Sequence, residues 1–269
     1  MESGLYTIKC VTNMHMGSGD INFNIIDNEV QRDPITNLPT MFSSGIKGAF
    51  REHFKQNELV ESIFGSDVKK SNADKKNSIP GKLKFLSGYL LFLPVRASKG
   101  CKSYYLVTTK DILDDFDIFC KAIKGEEYFG KDIATVDSSV TYGEKNAEID
   151  GLHSDNQPIS EELMIKFKNI VGNDNVDRVV ITSEDNMKKI NLPIIARNQL
   201  DNGISQNLWY EEVVPHETIF YTAIISDGTD DGNNAMNEFE KYINNYNLVQ
   251  FGGNATIGYG LTHINKMEV

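Results

Sequence analysis

The sequence predicts an α+β protein built on a ferredoxin-like or RRM-like sheet, with a projecting β-hairpin and loop insertions. Three observations carry this expectation. Strand, helix and strand patterns follow one another near both ends of the chain. Asn202-Gly203 stands between two strand-like runs, a strong short-range hairpin signal. Polar stretches rich in glycine, serine or lysine separate the apolar segments. With 269 residues, 40% of them hydrophobic and 10% aromatic, the chain is long enough to bury a sizeable core.

The elements follow in order. Leu5–Asn13 places Tyr6, Ile8 and Cys10 on one face and reads as a strand. Gly17-Ser18-Gly19 breaks it. From Ser43 on, Ile46, Ala49, Phe50 and Phe54 recur at helical spacing, with Ser43 or Ser44 available as the cap. Gly45 and Gly48 fall at the start of that helix, where backbone amides are unpaired. Gly65–Lys84, with six lysines against two aspartates, reads as a loop closed by Pro80-Gly81. Tyr89–Ala97 is a strand whose Pro94 favours an edge or a bulge. Tyr104–Thr109 is another, followed by a helix with Ile112, Phe116, Phe119 and Ile123 inward. Residues 125–157 carry only weak strand signals, near Ala147–Ile149. The next helix is capped by Ser160 and ended by Gly172. Beyond the hairpin come a strand at Phe220–Ile225 and a helix with Ala235, Met236, Phe239, Ile243 and Tyr246 inward. A short strand follows at Leu248–Gly253, then a glycine-punctuated tail. Trp209 is expected as a core aromatic of its strand.

Composition excludes several classes. Cys10, Cys101 and Cys120 are odd in number and lack CxxC spacing, so neither a disulfide framework nor a cysteine-based zinc site is indicated. The N-terminal residues have no basic region followed by an apolar stretch, and the apolar run Tyr89–Val95 is too short to span a bilayer. The expectation is a cytoplasmic protein without a membrane partner. The net charge of −11 opposes unaided polyanion binding, because neutralising phosphates takes Lys and Arg. Any such site must be local or completed by other copies.

Some polar residues stand out, each with a plain structural alternative. Asp27 follows Ile25-Ile26 and reads either as a turn aspartate or as a carboxylate for a hard cation. Mg²⁺ takes one or two carboxylates plus substrate phosphates. His15 is either a hydrogen-bonded structural histidine or a general acid or base. Gly17-Ser18-Gly19 fits neither the GxxxxGK[ST] nor the GxGxxG phosphate-binding pattern. Lys47 and Arg51, four apart, share a helix face that could hold phosphates beside the helix N-terminus, or simply face water. Glu211 and Glu212 follow Trp209-Tyr210 and could support a metal or a 2′-hydroxyl. Gly252-Gly253 and Gly258-Tyr259-Gly260 permit close backbone approach or ordinary turns.

Read together, several segments resemble the RAMP superfamily of CRISPR-associated proteins, and more narrowly the repeated backbone subunit of the type III-B (Cmr) effector complex. They are His15–Gly19, Ile26–Met41, Ser43–Glu52, Tyr89–Gly100, Leu208–Tyr221 and the glycine-rich Phe251–Leu261, in the family's order along nearly the whole chain. The first and third are shared with the type III-A backbone subunit. Met41-Phe42 and Ile46 depart from the family's Ile-Pro-Gly-Ser-Ser-Leu-Lys-Gly run.

The resemblance implies one RAMP domain over residues 1–269, an RRM-like palm carrying a β-hairpin thumb at about 182–208. It implies several copies stacked in a helical filament on one CRISPR guide RNA, with other Cmr subunits as partners. It implies endoribonuclease cleavage of a complementary single-stranded target RNA at regular spacing, dependent on Mg²⁺ or Mn²⁺. Asp27 matches the family's key aspartate, catalytic and metal-holding, and His15 a residue near it. Lys47 and Arg51, with Gly45 and Gly48, match the guide-contacting helix, and Gly252 and Gly253 the glycine-rich RNA-binding loop. The non-catalytic alternative is a structural guide-RNA-binding subunit.

Overall fold

The computed structural model describes residues 1–19, 25–66, 78–135, 140–141, 147–149, 152–154 and 160–268. The chain divides into two compact units. The first comprises Met1–Tyr89, Ile194–Val214 and Tyr221–Glu268; the second Leu90–Pro193 and Pro215–Phe220.

In the first unit, β1 (Ser3–Cys10) leads through β2 (Thr40–Met41) into α1 (Ser43–His53), α2 (Val60–Phe64) and β3 (Leu83–Phe85). After the hairpin, β12 (Ile219–Ser226), in this unit from Tyr221 on, leads into α6 (Asp230–Asn245), β13 (Leu248–Gln250) and β14 (Leu261–Met267). β14 is antiparallel to β1, from Leu5↔Met267 to Cys10↔Thr262, and β3 is antiparallel to β12. The strand order β14-β1-β12-β3 is the fourth-first-third-second order of a ferredoxin-like sheet, as expected.

Aromatic side chains fill the layer between helices and strands. Phe239 of α6 packs on Phe50 of α1 at 5.3 Å between ring centroids and stacks on Phe54 at 5.2 Å. Phe85 and Tyr6 close on the same ring from the strands. Replacing Phe239 with Ala should cost about 3–5 kcal/mol, through lost burial and the cavity left among these rings. Urea denaturation of the wild type and variant measures this directly.

The second unit holds β4 (Gly88–Lys99) from Leu90 on, β5 (Tyr104–Thr109), α3 (Lys110–Lys124), α4 (Glu161–Val171), β9 (Val179–Thr182) and α5 (Glu184–Met187). The short strands β6 (Val140–Thr141), β7 (Ala147–Ile149) and β8 (Leu152–Ser154) add to it. β5 runs antiparallel to β4 and parallel to β9, the parallel pair joined through α3 and α4. Phe129 links the helices, with Phe116 at 5.8 Å and Phe167 at 5.3 Å. None of the three cysteines is in a disulfide among the described residues; Cys101 is exposed, and burial pushes the Cys120 thiol up to about 12.

Several local expectations change. Ser43 and Ser44 do not cap α1; Phe42 holds the cap position without a side-chain bond, because the paired β2 delivers the chain directly into the helix. Thr109, Ser160 and Thr229 do cap their helices. In α3 Ile112 and Phe116 are buried as expected, but the buried face also takes in Leu113, Asp117 and Cys120, while Phe119 and Ile123 are half-buried. Pro94 makes no bulge against β5; the irregularity lies between Ala97 and Lys99, facing β7. Tyr246 is 58% exposed, because α6 ends just before it. α2, β3 and β14 are additions. Of the lysine-rich loop, residues 67–77 lie outside the described residues.

The hairpin comprises β10 (Ile194–Asp201) and β11 (Ile204–Glu212). Asn202 and Gly203 both take positive φ, 50° and 81°, as a turn matching the twist of the strands requires. The pair therefore starts at Ile194, later than the expected 182. Thr182 ends β9, and α5 follows it. Trp209 is half-buried on the hairpin, opposite Arg197, and is not a core residue. Among the described residues no helix is long and apolar enough to cross a membrane.

Candidate functional site

The base of the hairpin, within the first unit, gathers the polar residues that the sequence singled out. Three consecutive residues of β11 organise it. Tyr210 binds Asp27 twice: its N–H donates to Asp27 Oδ2 at 2.8 Å, and its carbonyl accepts from the Asp27 N–H at 3.1 Å. Asp27 is nevertheless exposed. Its backbone is fixed as an added bridge to β11, completed by the Glu212 N–H donating to the Asn28 carbonyl at 2.9 Å.

Glu211 is buried, with 3% exposure. Its Oε2 accepts from Arg197 Nε and its Oε1 from Asn254 Nδ2, both at 2.7 Å. The Arg197 guanidinium lies over the Tyr259 ring, 4.6 Å from the centroid. One carboxylate thus ties β10, β11 and the glycine-rich loop together.

Glu212, also buried, accepts from the Val30 N–H at 3.1 Å and pairs with Arg32 Nη2. Arg32 Nη1 in turn donates to the Asn37 carbonyl at 2.9 Å. The Glu212 carbonyl lies 2.8 Å from His15 Nδ1. A proton on Nδ1 satisfies that bond and leaves Nε2 as the basic nitrogen. His15 is buried, and Glu211 Oε1 lies 3.7 Å from the same Nδ1. His15 and Asp27 are therefore anchored within the last three residues of one strand, to Glu212 and Tyr210.

The glycine-rich loop is fitted to the His15 segment. The Gly253 N–H donates to the His15 carbonyl at 2.9 Å. At Gly252, φ is +75°, and a Cβ would sit 2.3 Å from the same carbonyl oxygen, so only glycine fits. Gly45 serves close packing, since its Cβ would lie 2.8 Å from Met16 Cε. Gly48 differs: it is exposed, and a methyl group added there would meet nothing within 4 Å.

A sequence profile of the RAMP superfamily matches residues 7–263. The chain belongs to the RAMP superfamily. It is similar to the CRISPR system Cmr endoribonuclease Cmr4 of Pyrococcus furiosus, at 26% identity over 99% of this chain and 95% of that one. Among solved structures it resembles the Type III-B Cmr-beta bound to cognate target RNA, with a TM-score of 0.81 at 18% identity over 99% of this chain and 97% of that one. It also resembles oligomeric Cmr4 from Pyrococcus furiosus, with a TM-score of 0.76 at 22% identity over 100% and 99% of the two chains. The fold is thus that of the RAMP proteins.

Within this RAMP fold, Lys47 and Arg51 lie on α1, both half-exposed. Arg51 Nη1 donates to the Gly65 carbonyl at 2.8 Å, next to the bridge between Gly65 and Pro80. Among the described residues there is no group of three His, Cys, Asp or Glu side chains that could hold a metal ion. Asp27 offers one exposed carboxylate to a cation. Sequence reasoning missed Arg32, Arg197, Tyr210 and Asn254. Two adjacent glutamates ending a strand are a signal for buried cationic partners, but the signal does not say which cations.

Proposed function

We propose that this RAMP chain is a repeated backbone subunit of a type III-B CRISPR effector complex, holding guide RNA and cleaving complementary target RNA at regular spacing. The observation that carries the reading is Asp27, an exposed carboxylate fixed by backbone bonds to the base of a protruding hairpin. Near full-length likeness to a Cmr endoribonuclease supports it. In this reading residues 1–269 act as one RAMP domain whose thumb is Ile194–Glu212. Leu200, Ile204 and Leu208, each more than half exposed, supply the thumb with apolar surface to set against base pairs or a neighbouring copy.

Asp27 orients the target 2′-hydroxyl toward the adjacent phosphorus, with its carboxylate already aimed by the Tyr210 N–H. Alignment of the attacking oxygen supplies much of what such a reaction needs. A divalent cation, Mg²⁺ or Mn²⁺, carried in with the RNA phosphates would stabilise charge on the phosphate oxygens. His15 holds the glycine-rich loop through its carbonyl and keeps a basic Nε2. Lys47, Arg51 and the uncapped start of α1, with Gly45, Gly48, Gly252 and Gly253, face the guide backbone. Copies of the chain along one guide, with the other Cmr subunits, provide by avidity the affinity that a net charge of −11 withholds from a single copy.

The test is a reconstituted complex with guide, target and Mg²⁺ or Mn²⁺. Evenly spaced cuts ending in 2′,3′-cyclic phosphate are expected. Target bound but left whole under either metal would make the chain a structural guide-binding subunit. Gly48→Ala gives a second check. An added methyl in open space on a helix should raise the stability of the isolated chain by about 0.5–1 kcal/mol. It should weaken guide binding in the complex if RNA approaches that backbone.

A further inference from the structure

One side chain of the first unit joins the start of α1 to the His15 segment. Gln31 lies between two single bridges, Gly17↔Val30 and Arg32↔Pro39. Its N–H donates to the Met16 carbonyl at 2.8 Å, and its carbonyl accepts from the Thr40 N–H at 3.0 Å. The side chain links the same two neighbours again, farther along each. Gln31 Nε2 donates to the Gly17 carbonyl at 3.2 Å, and Oε1 accepts from the Phe42 N–H at 2.7 Å. A carbonyl only accepts and a backbone N–H only donates, so the partners fix which end of the amide is which. Glutamate would keep the bond to Phe42 and lose that to Gly17. Methionine would fill the space and lose both.

Both ends of this link touch functional groups. Phe42 is the cap residue of α1 and makes no side-chain bond to the helix; its carbonyl accepts the first helical bond, from the Ile46 N–H at 3.1 Å. The amides of the turn that follows point outward, where an anion would sit. At the other end, a Cβ on Gly17 would lie 3.2 Å from His15 Nε2, so Gly17 packs beside the basic nitrogen. The backbone bonds of Gln31 hold its two neighbours without help from the side chain. What the side chain adds is a fixed distance between the entry to α1 and the residue beside His15 Nε2.

We propose that Gln31 is a positioning residue, whose side-chain amide transmits the seating of guide RNA at the start of α1 to His15 at the cleavage site. This role rests on the proposed placement of the guide on α1 and names how guide occupancy reaches the reacting groups. An anion on the first turn of α1 stiffens the Phe42 end of the link. The amide then holds the Gly17 carbonyl, and with it the segment that carries His15. Met16 packs on the same turn, 2.8 Å from where a Gly45 Cβ would lie, but an apolar contact of a flexible side chain does not fix direction as two hydrogen bonds do.

Hydrogen exchange of wild type and Gln31→Met, each as the free chain and in the guide-loaded complex, tests it. Guide loading should slow exchange at residues 43–48 in both proteins. At residues 15–18 it should slow exchange in wild type and about 5–10-fold less in Gln31→Met. Cleavage at saturating target should fall about 5–10-fold in Gln31→Met, with guide and target affinity unchanged. Gln31→Glu separates positioning from helix capping. Its carboxylate still accepts from the Phe42 N–H at a helix N-terminus, so the free chain should resist urea at least as well as wild type, yet cleavage should fall as in Gln31→Met. Equal guide-induced protection of residues 15–18 in wild type and Gln31→Met would overturn the proposal, and so would wild-type cleavage by Gln31→Glu. Absence of protection at residues 43–48 in wild type would instead remove the guide from α1, and the coupling with it. If wild type binds target without cutting it, the exchange comparison alone decides.

Discussion

Asp27→Ala in the assembled complex is expected to reduce the evenly spaced cleavage of target RNA by about 10²-fold or more while guide and target stay bound. Asp27 is exposed, so its removal leaves the core untouched and should change stability by no more than about 0.5 kcal/mol. The hydrogen bond between the Asp27 N–H and the Tyr210 carbonyl survives any side-chain change. Asp27→Asn is the sharper variant. Its amide oxygen can still accept from the Tyr210 N–H, so the local geometry persists while the negative charge is lost. Cleavage lost in both variants, with binding intact, assigns the charge of Asp27 to the chemistry. Cleavage retained in Asp27→Asn but lost in Asp27→Ala would assign it to positioning alone. Cleavage retained in both would move the reaction away from the hairpin base.

Local chemistry made much of the fold legible. Asn202-Gly203 announced its turn because few other pairs accept two positive φ values in succession. Phe50, Phe54 and Phe239 announced their helices by spacing, and they meet in one core. What the sequence hid was set by contacts distant in the chain. Asp117 reads as a solvated aspartate, yet it turns inward because both its oxygens accept backbone N–H groups, from Phe129 and Gly130, at 2.7 Å. That draws the buried face of α3 toward Leu113 and Cys120 and leaves Phe119 half-buried. The site shows the same division. Asp27 and His15 were legible as candidates. The partners of Glu212 were not, since Val30 and Arg32 lie 182 and 180 residues away along the chain. Nor does any local pattern announce that Asn254, in the glycine-rich loop, reaches back to Glu211.

Glu211→Ala should be the most destabilising change at the site, costing about 3–5 kcal/mol. Its carboxylate is buried and accepts from both Arg197 and Asn254. Removing it leaves the Arg197 guanidinium without its carboxylate partner, and that uncompensated charge sets the size of the loss. The comparison with a double variant makes the argument quantitative. Replacing Arg197 and Glu211 together by Met removes both charges and fills the space, so it should cost less than Glu211→Ala alone. Urea denaturation of wild type, the single variant and the double variant gives this ordering. If the double variant is the less stable, the pair contributes through its hydrogen bonds more than burial of the charges costs. Hydrogen exchange supplies the local counterpart. With Glu211 gone, Asn254 loses its anchor, and the Gly253 N–H that donates to the His15 carbonyl should exchange faster in Glu211→Ala than in wild type. Unchanged protection of that amide would mean that the loop is held by its own backbone and the His15 carbonyl, with Glu211 serving only the hairpin.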